Sequence, residues 1–321
     1  MIDSPLFDIP IIFIVFNRPE TTKKVFCEIA KIKPKQLFII ADGPRAETES
    51  IKCNEVRAIT NFIDWECELK TNFSESNLGC KRRLISGLNW AFEQCEQAII
   101  LEDDCLPEQS FFPFCKEMLD MYKNDERVMM ISGDKIHRDL ESKEYSYYFS
   151  CYNHIWGWAT WKRVWNLYDE RMKELPSIIH TDFLPKLLQS NNAANYWRSL
   201  FEKVNNNKMD TWDCQLQYLC WIYNGLTIIP GNNLVSNIGL SHTDATHPGE
   251  RDHLYEISIY PVTFPLRHPL IVERNLDADL CEAKIFLRFT LKDYIKRYLQ
   301  YFGIDSKIVK WIQNKLKNYF S

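Results

Sequence analysis

Residues 97–107, QAIILEDDCLP, join a short apolar run to three adjacent carboxylates, Glu102, Asp103 and Asp104. A continuous apolar run of this length is typical of a strand that is buried on both faces of a parallel sheet. Two unit charges ~4 Å apart repel by about 4 kcal/mol at an effective dielectric constant of about 20. Hard divalent cations prefer oxygen ligands, and α/β sheets bind ligands beyond the carboxyl ends of their strands. The motif therefore predicts a metal–diphosphate site at the edge of an α/β sheet, rather than a solvated acidic loop.

Short apolar runs alternate with helical patterns throughout residues 1–135. This alternation predicts an α/β fold with a mostly parallel central sheet, flanked by helices on both faces. No G-x-G-x-x-G motif follows the first apolar run, which argues against a dehydrogenase. The predicted strands cover 11–16, 37–41, 66–71, 98–101 and 128–132. The first predicted helix begins at Pro19, and the second follows the second strand and ends at about 63. Two more helices are predicted at 79–95 and 111–122.

Aromatic residues dominate the chain after 145, where helices are predicted near 181–190, 193–206 and 212–223 and a strand at 226–229. We expect one domain over 1–245, with a nucleotide-binding half at 1–135 and an acceptor-side half at 136–245. Within it, Trp156 and Trp158 are candidates for a platform that stacks on sugar rings, although any single Trp is more often a core residue. The i, i+3, i+7 spacing of Trp158, Trp161 and Trp165 is typical of one buried helix face.

Composition excludes several classes of protein. The net charge of −4 gives no overall basic field of the kind that nucleic-acid binding favours. The eleven Cys include no C-x-x-C pair, so a zinc site is not expected. Their odd number, without the spacing of a disulfide framework, indicates a protein of the reducing cytoplasm. No apolar run is long enough to span a membrane, and the first residues do not read as a secretion signal.

Further charged residues stand at positions where ligands bind α/β folds. Arg18 follows the first strand and Asp42 follows the second, and each is either a ligand contact or an ordinary surface or capping residue. Lys81 and its two neighbouring arginines begin a helix, where cations oppose the helix dipole and an anion would relieve the cost. Asp213, in the first turn of another helix, is either a surface acid or a catalytic base.

Several motifs in order resemble a known family. The chain resembles GT-A-fold nucleotide-sugar glycosyltransferases in the broad family 2 sense, and its motif order is similar to that of N-acetylglucosaminyltransferase-I-like enzymes. The resemblance covers roughly residues 9–245. The motifs are FNRP at 16–19, ADG at 41–43, NLGCKRR at 77–83, LEDD at 101–104, WGWATW at 156–161, WDCQL at 212–216, PGNNLVSNIG at 230–239 and SHT at 241–243.

The resemblance implies a role for each matching residue. Asp104 matches the last acid of the family's D-x-D-type motif and would bind Mn²⁺ or Mg²⁺, with His242 near the metal or the diphosphate. Asp213 matches the catalytic base. The expected contacts to the nucleotide-sugar donor are Arg18, Asp42, Lys81, Glu102 and Asp103.

These roles predict metal-dependent, inverting transfer of a hexosyl or N-acetylhexosaminyl group. The donor would be a nucleoside-diphosphate sugar, with UDP expected from family habit, and the acceptor a hydroxyl of a glycan, a lipid-linked molecule or a protein. One alternative is a sugar nucleotidyltransferase, although FNRPETTKK is not the Gly-rich basic loop that such an enzyme needs after its first strand. The other is a non-catalytic carbohydrate-binding protein on the same scaffold.

The region 246–321 is predicted to be a C-terminal extension with basic amphipathic helices. Its last part, 281–321, carries nine basic and three acidic side chains. A basic amphipathic helix is typical of a membrane-surface element, which would place the protein at the inner face of the plasma membrane. The alternative is a helix pair that docks on the domain or in an oligomer interface.

Overall fold

The computed structural model describes residues 6–136, 144–239 and 258–285. His242 and the tail beyond 285 lie outside these residues, so the expectations for them stay predictions. Within the described ranges, no helix combines the length and the apolar character that crossing a membrane requires.

One eight-stranded sheet forms the centre of the fold, in the order β3-β2-β1-β4-β8-β6-β9-β7. Strands β8 and β7 run antiparallel to their neighbours, and the other neighbouring pairs are parallel. β2 and β6 are buried along nearly all of their length, as expected for strands covered on both faces. The predicted α/β class with a mostly parallel sheet is therefore confirmed. The strands of this sheet are β1 (Ile11–Val15), β2 (Gln36–Ala41), β3 (Glu68–Phe73), β4 (Gln97–Glu102), β6 (Val128–Ser132), β7 (Tyr147–Ser150), β8 (Trp158–Trp161) and β9 (Leu226–Pro230), and β5 (Cys105–Pro107) pairs separately with β10 (Val235–Asn237).

The order of the strands fixes where a ligand can bind. From β1 the chain goes to β2 on one side, and later to β4 on the other side. Such a reversal opens a crevice beyond the carboxyl ends of β1 and β4. The acidic motif follows β4, and Arg18 follows β1, so both lie at this crevice.

The helices follow the periodicity of the sequence. Pro19 stands at the first position of α1, where its missing N–H costs nothing, and Val25 and Ile29 are buried on one face. The predicted helix over 111–122 and the predicted strand over 128–132 have the bounds seen in the structure. The helices are α1 (Pro19–Ile32), α2 (Ser50–Arg57), α3 (Cys80–Phe92), α4 (Phe111–Tyr122), α5 (Lys162–Trp165), α6 (Leu175–Ile178), α7 (Phe183–Leu188), α8 (Asn191–Asn205) and α9 (Asp213–Ile222), with 3₁₀ turns at Glu47–Glu49 and Ala58–Phe62.

The Trp-rich segment is a strand where a helix face was predicted. Trp158 to Trp161 form β8, between β4 and β6, and only Lys162–Trp165 is helical. The three tryptophans are buried as expected, at 0–3% exposure. The helical interpretation was wrong because a centrally placed strand buries both of its faces, so its side chains do not alternate in polarity. Strands β5, β7 and β10 were also not predicted.

A second hydrophobic core lies between α7, α8 and α9, and includes Tyr152, Trp197 and Trp221. α9 is buried on nearly all sides, since Leu216 packs in the core of the sheet while Trp221 packs in this second core. The two predicted halves of the domain thus share one sheet, and α9 joins its core to that of the helices.

The described part of the C-terminal extension packs onto the main domain. His154 Nε2 lies 2.6 Å from Glu282 Oε1, and both side chains are buried. Asp279 accepts hydrogen bonds from Ser150 and from the amide of Cys151. The helical segment 276–285 is therefore attached to the sheet through buried polar contacts.

Candidate active site at the carboxyl edge of the sheet

The three carboxylates stand where β4 turns into β5. Glu102 is the last residue of β4, and Asp103 and Asp104 form the turn. Asp103 accepts a hydrogen bond of 3.2 Å from the amide of Phe16, which ties the cluster to the end of β1. The Nη1 of Arg18 lies 2.8 Å from Asp104 Oδ2 and 3.6 Å from Asp103 Oδ1. The structure therefore pairs Arg18 with the acidic cluster, a contact that the sequence analysis did not predict, and the predicted contact of Arg18 with the nucleotide stays a prediction.

The cluster holds more negative charge than Arg18 neutralises. Burial, and then the charges of Asp104 and Asp103, raise the pKa of Glu102 to about 8. Burial and Asp104 raise the pKa of Asp103 to about 7, against the opposing effects of Arg18 and the Phe16 amide. Burial disfavours the charged form of Arg18, but the carboxylates outweigh it and raise the pKa of the guanidinium. A cation would relieve the remaining repulsion.

The β10 segment closes tightly over Asp104. The amide of Ile238 donates a 2.8 Å hydrogen bond to the backbone carbonyl of Asp104. A Cβ atom built on Gly239 would lie 2.3 Å from Asp104 Oδ2, closer than any real contact of this kind. Glycine at 239 therefore leaves the space in which the carboxylate sits, a requirement that sequence reasoning missed.

The described residues contain no group of three or more His, Cys, Asp and Glu side chains arranged to hold a metal ion. A protein-built cage is thus not present in this part of the chain. Mg²⁺ is usually bound through one or two carboxylates together with substrate phosphates, and the exposed edge of this cluster fits that mode. Asp104, 18% exposed in its side chain, can supply such an oxygen.

Asp42 organises the loop beneath the crevice. Its Oδ1 accepts from the amides of Gly43 and Leu78, and its Oδ2 accepts from Asn77 Nδ2 and the amide of Gly79. The carboxylate is buried and occupied by these donors. The structure therefore gives Asp42 a positioning role at the start of α3, and its predicted contact with the nucleotide stays a prediction.

Asp213 lies in the same crevice, on a different element. It begins α9, is half-buried, and accepts hydrogen bonds from the Thr211 hydroxyl and the amide of Cys214. Its charge contributes to the raised pKa of Glu102, after burial and the charges of Asp104 and Asp103. Burial, and then Glu102 and Asp213, raise the pKa of Cys80, the first residue of α3, to about 12.

Lys81 has a different partner from the expected one. Its Nζ lies 3.3 Å from Glu170 Oε1, in the loop after α5. The side chain lines a cavity with residues of that loop and of the end of α8, none of which was predicted to contact the nucleotide. Its predicted role in donor binding has no support in this geometry and stays a prediction.

The two predicted platform residues differ. Trp158 is 0% exposed and stacks against Trp212 at 5.8 Å between ring centroids, so it cannot offer a face to a sugar. This prediction was wrong, because β8 is an interior strand. Trp156 is half-buried. Ile100 of β4 pairs with Trp158 of β8 in an antiparallel register, and the same register extended by two residues places Trp156 beside Glu102. Trp156 therefore remains a candidate at the edge of the site.

A cavity of about 620 Å³ lies away from the carboxylates. It is lined along α4 by Lys116 and Met121, among others. Lys116 pairs with Asp8, which precedes β1, so this cavity lies toward the amino end of that strand, opposite the carboxylates. We assign it no part in the site.

Comparison with known proteins gives similar structures but no sequence relatives. No protein-family model and no curated protein matches the chain. It is similar in structure to TarS 1-349 from S. aureus, with a TM-score of 0.39 and 13% identity over 71% of this chain and 59% of that one. The match thus spans less than two thirds of the TarS chain.

Two further solved structures are similar to the chain. One is the inositol-1-phosphate CTP transferase from T. maritima, with a TM-score of 0.32 and 12% identity over 51% of this chain and 74% of that one. The other is the 4-diphosphocytidyl-2C-methyl-D-erythritol synthase from Anaerococcus prevotii, with a TM-score of 0.36 and 8% identity over 69% and 86%. At these low scores and identities, the likenesses assign no activity to this chain.

Proposed function

We propose that this chain is a glycosyltransferase that moves a sugar from a nucleoside-diphosphate donor to an acceptor hydroxyl, with inversion at the anomeric carbon. The observation that carries the proposal is the crevice itself. Three carboxylates stand at the end of β4 and in the turn after it, Arg18 follows β1, and the charge of Asp213, at the start of α9, acts on Glu102. The proposal rests on the arrangement of these charges and on the motif resemblance, and the donor is proposed to be a UDP-sugar on the resemblance alone.

Each residue has a chemical task in this reaction. Asp104 would hold Mn²⁺ or Mg²⁺ together with the donor phosphates, and the cation would stabilise the charge that develops on the leaving diphosphate. Arg18 would hold Asp103 and Asp104 in place and add positive charge beside the phosphates. Asp213, on the opposing element, would accept the proton of the attacking hydroxyl. An inverting transfer needs one such base and no protein nucleophile.

The nucleotidyltransferase alternative has less support. The connection from β1 to α1 consists of Phe16, Asn17 and Arg18, and Asn17 donates a hydrogen bond to Glu49. It contains no glycine that would let a backbone wrap a triphosphate. The non-catalytic alternative does not explain why a further carboxylate, Asp213, adds its charge to the acidic cluster.

Two substitutions test the proposal. Asp213→Asn should lower transfer about 10²- to 10⁴-fold while nucleotide binding in the presence of Mn²⁺ stays intact, because it removes only the base. Asp104→Asn should weaken both nucleotide binding and transfer. Calorimetric titration of nucleoside diphosphates with Mn²⁺ and with chelator, followed by assays with the matching sugar donors, measures both. Normal turnover by Asp213→Asn, or nucleotide binding that ignores Mn²⁺, would contradict the proposal.

The membrane contact is proposed only for the end of the chain. Ala283 packs in the second core and Glu282 pairs with His154, so the segment 281–285 is attached to the domain through these two residues. The proposed contact with anionic lipid therefore belongs to 286–321, which lies outside the described residues. Sedimentation with anionic vesicles, with and without 286–321, tests it, and equal sedimentation of the two proteins would contradict it.

A further inference from the structure

A cationic cavity of about 570 Å³ opens beside the candidate active site. Its volume is in the range of small-molecule sites. The cavity takes its walls from the first turn of α3, from the loop after α5 and from the end of α8. Its lining residues are Lys81, Arg82, Glu170, Arg171, Val204, Asn205 and Asn207.

The charges in this cavity are unbalanced. Three cations face one carboxylate, and that carboxylate, Glu170, is already paired with Lys81 at 3.3 Å. The side chains of Arg82 and Arg171 are exposed and make no hydrogen bond or ion pair with another described residue. Two arginines from different elements that converge on one space form the donor set that binds phosphate and carboxylate groups.

The cavity lies on the acceptor side of the crevice. The hydroxyl of Tyr168 donates a 2.9 Å hydrogen bond to the carbonyl of Trp212, the residue before Asp213. Tyr168 and Glu170 belong to the same loop after α5, so this hydrogen bond holds the cavity wall next to the start of α9. The nucleotide is expected at the ends of β1 and β4, where Arg18 meets Asp104.

We propose that this cavity binds an anionic group, a phosphate or a carboxylate, of the acceptor. The inference rests on the proposed function only in naming the ligand an acceptor, because the anion site itself is argued from the cavity. The cations of the cavity would attract an acceptor that carries such a group, and the bound acceptor would present its hydroxyl to Asp213. A neutral glycan would leave the two arginines unpaired.

Calorimetric titration with three probes tests the proposal: glucose 6-phosphate, glucuronate and neutral glucose. We expect the wild-type protein to bind at least one of the anionic sugars at least about tenfold more tightly than glucose. Tighter binding of glucose 6-phosphate would indicate an acceptor that carries a phosphate, and tighter binding of glucuronate would indicate an acceptor that carries a carboxylate. Binding should weaken as salt is added, since the cations are exposed.

The double variant Arg82→Ala/Arg171→Ala should weaken anionic-sugar binding by at least about tenfold. Arg267→Ala, which removes another exposed arginine, is the matched control and should change nothing. The double variant should also bind nucleoside diphosphate with Mn²⁺ as the wild type does. Equal binding of the anionic sugar by wild type and double variant, or no preference of the wild type for anions, would overturn the proposal. A wild-type protein that binds anionic sugars through these arginines but binds no nucleotide would instead refute the glycosyltransferase proposal and leave the anion site standing.

Discussion

Replacing Arg18 by Met would remove the positive charge that holds the acidic cluster together. The guanidinium lies 2.8 Å from Asp104 and 3.6 Å from Asp103. At an effective dielectric constant of about 20, the gross attraction over these distances is about 6 and about 5 kcal/mol. The cost of burying the ions offsets most of it, and the Arg18 and Asp104 side chains keep 21% and 18% of their surface exposed. We therefore expect a net loss of about 2 to 3 kcal/mol in the free energy of unfolding, between the values for surface and buried pairs.

The loss should depend on pH and on a divalent cation. The raised pKa values of Glu102 and Asp103 mean that the folded state binds more protons than the unfolded state, so stability falls as pH rises through about 7 to 8. Without Arg18 the repulsion is stronger, so the variant should lose more at about pH 9 than at about pH 6, where protons neutralise the two groups. Mn²⁺ with a nucleoside diphosphate should restore part of the loss, because a bound cation supplies the missing charge.

Urea unfolding followed by circular dichroism measures these effects, in chelator and in Mn²⁺ with UDP, at both pH values. Arg267→Met serves as the control for loss of an exposed arginine. A loss that is identical at both pH values and unaffected by Mn²⁺ with UDP would refute the reasoning, because the carboxylates would then not act as one charged cluster.

Two further outcomes follow from the structure. Gly239→Ala should lower the affinity for nucleoside diphosphate with Mn²⁺ by about tenfold or more, because its Cβ would displace the Asp104 carboxylate; unchanged affinity in calorimetry would show that this carboxylate is not used. Glu282→Gln should destabilise the protein by about 3 kcal/mol in urea unfolding near neutral pH, because it removes the negative charge 2.6 Å from the buried His154 and leaves only Asp134 to balance the imidazolium. Burial opposes the charge on His154, but Glu282 and Asp134 raise its pKa, so its stabilisation is complete below its ordinary pKa and is lost as pH rises through the raised value. A wild-type stability that does not decline with rising pH in this window would argue against a charged pair.

The local elements could be read from the sequence because their signals are local. Pro19 begins α1, and the apolar run before Glu102 is β4. The alternation of strands and helices predicted the parallel sheet, and the carboxyl ends of its strands share an edge, so Arg18 and the acids were both expected near a ligand site. Their direct pairing was seen only in the structure. The bounds of α4 matched because its apolar face has a clear helical period.

The misplaced elements are those that depend on distant partners. Trp158 and Trp161 have the spacing of a helix face, yet β4 and β6 hold this segment as an antiparallel strand between them. Asp42 gave a weak signal for nucleotide binding, and only the fold revealed that four donors surround its carboxylate. The cavity at Arg82 and Arg171 is lined by residues that are far apart along the chain, so no local sequence pattern could predict it.

The sequence by itself determined the α/β class of this protein and the presence of a charged cluster after β4, because strand periodicity and like-charge repulsion act over a few residues. The tertiary structure decided which charges oppose one another. The charge of Asp213 acts on Glu102 because α9 is buried on nearly all sides and packs between two cores, which fixes its first turn near the acids. The carboxylate of Asp104 has room only because Gly239 lies against it. Packing of remote segments sets both relationships, and packing is a property of the whole chain.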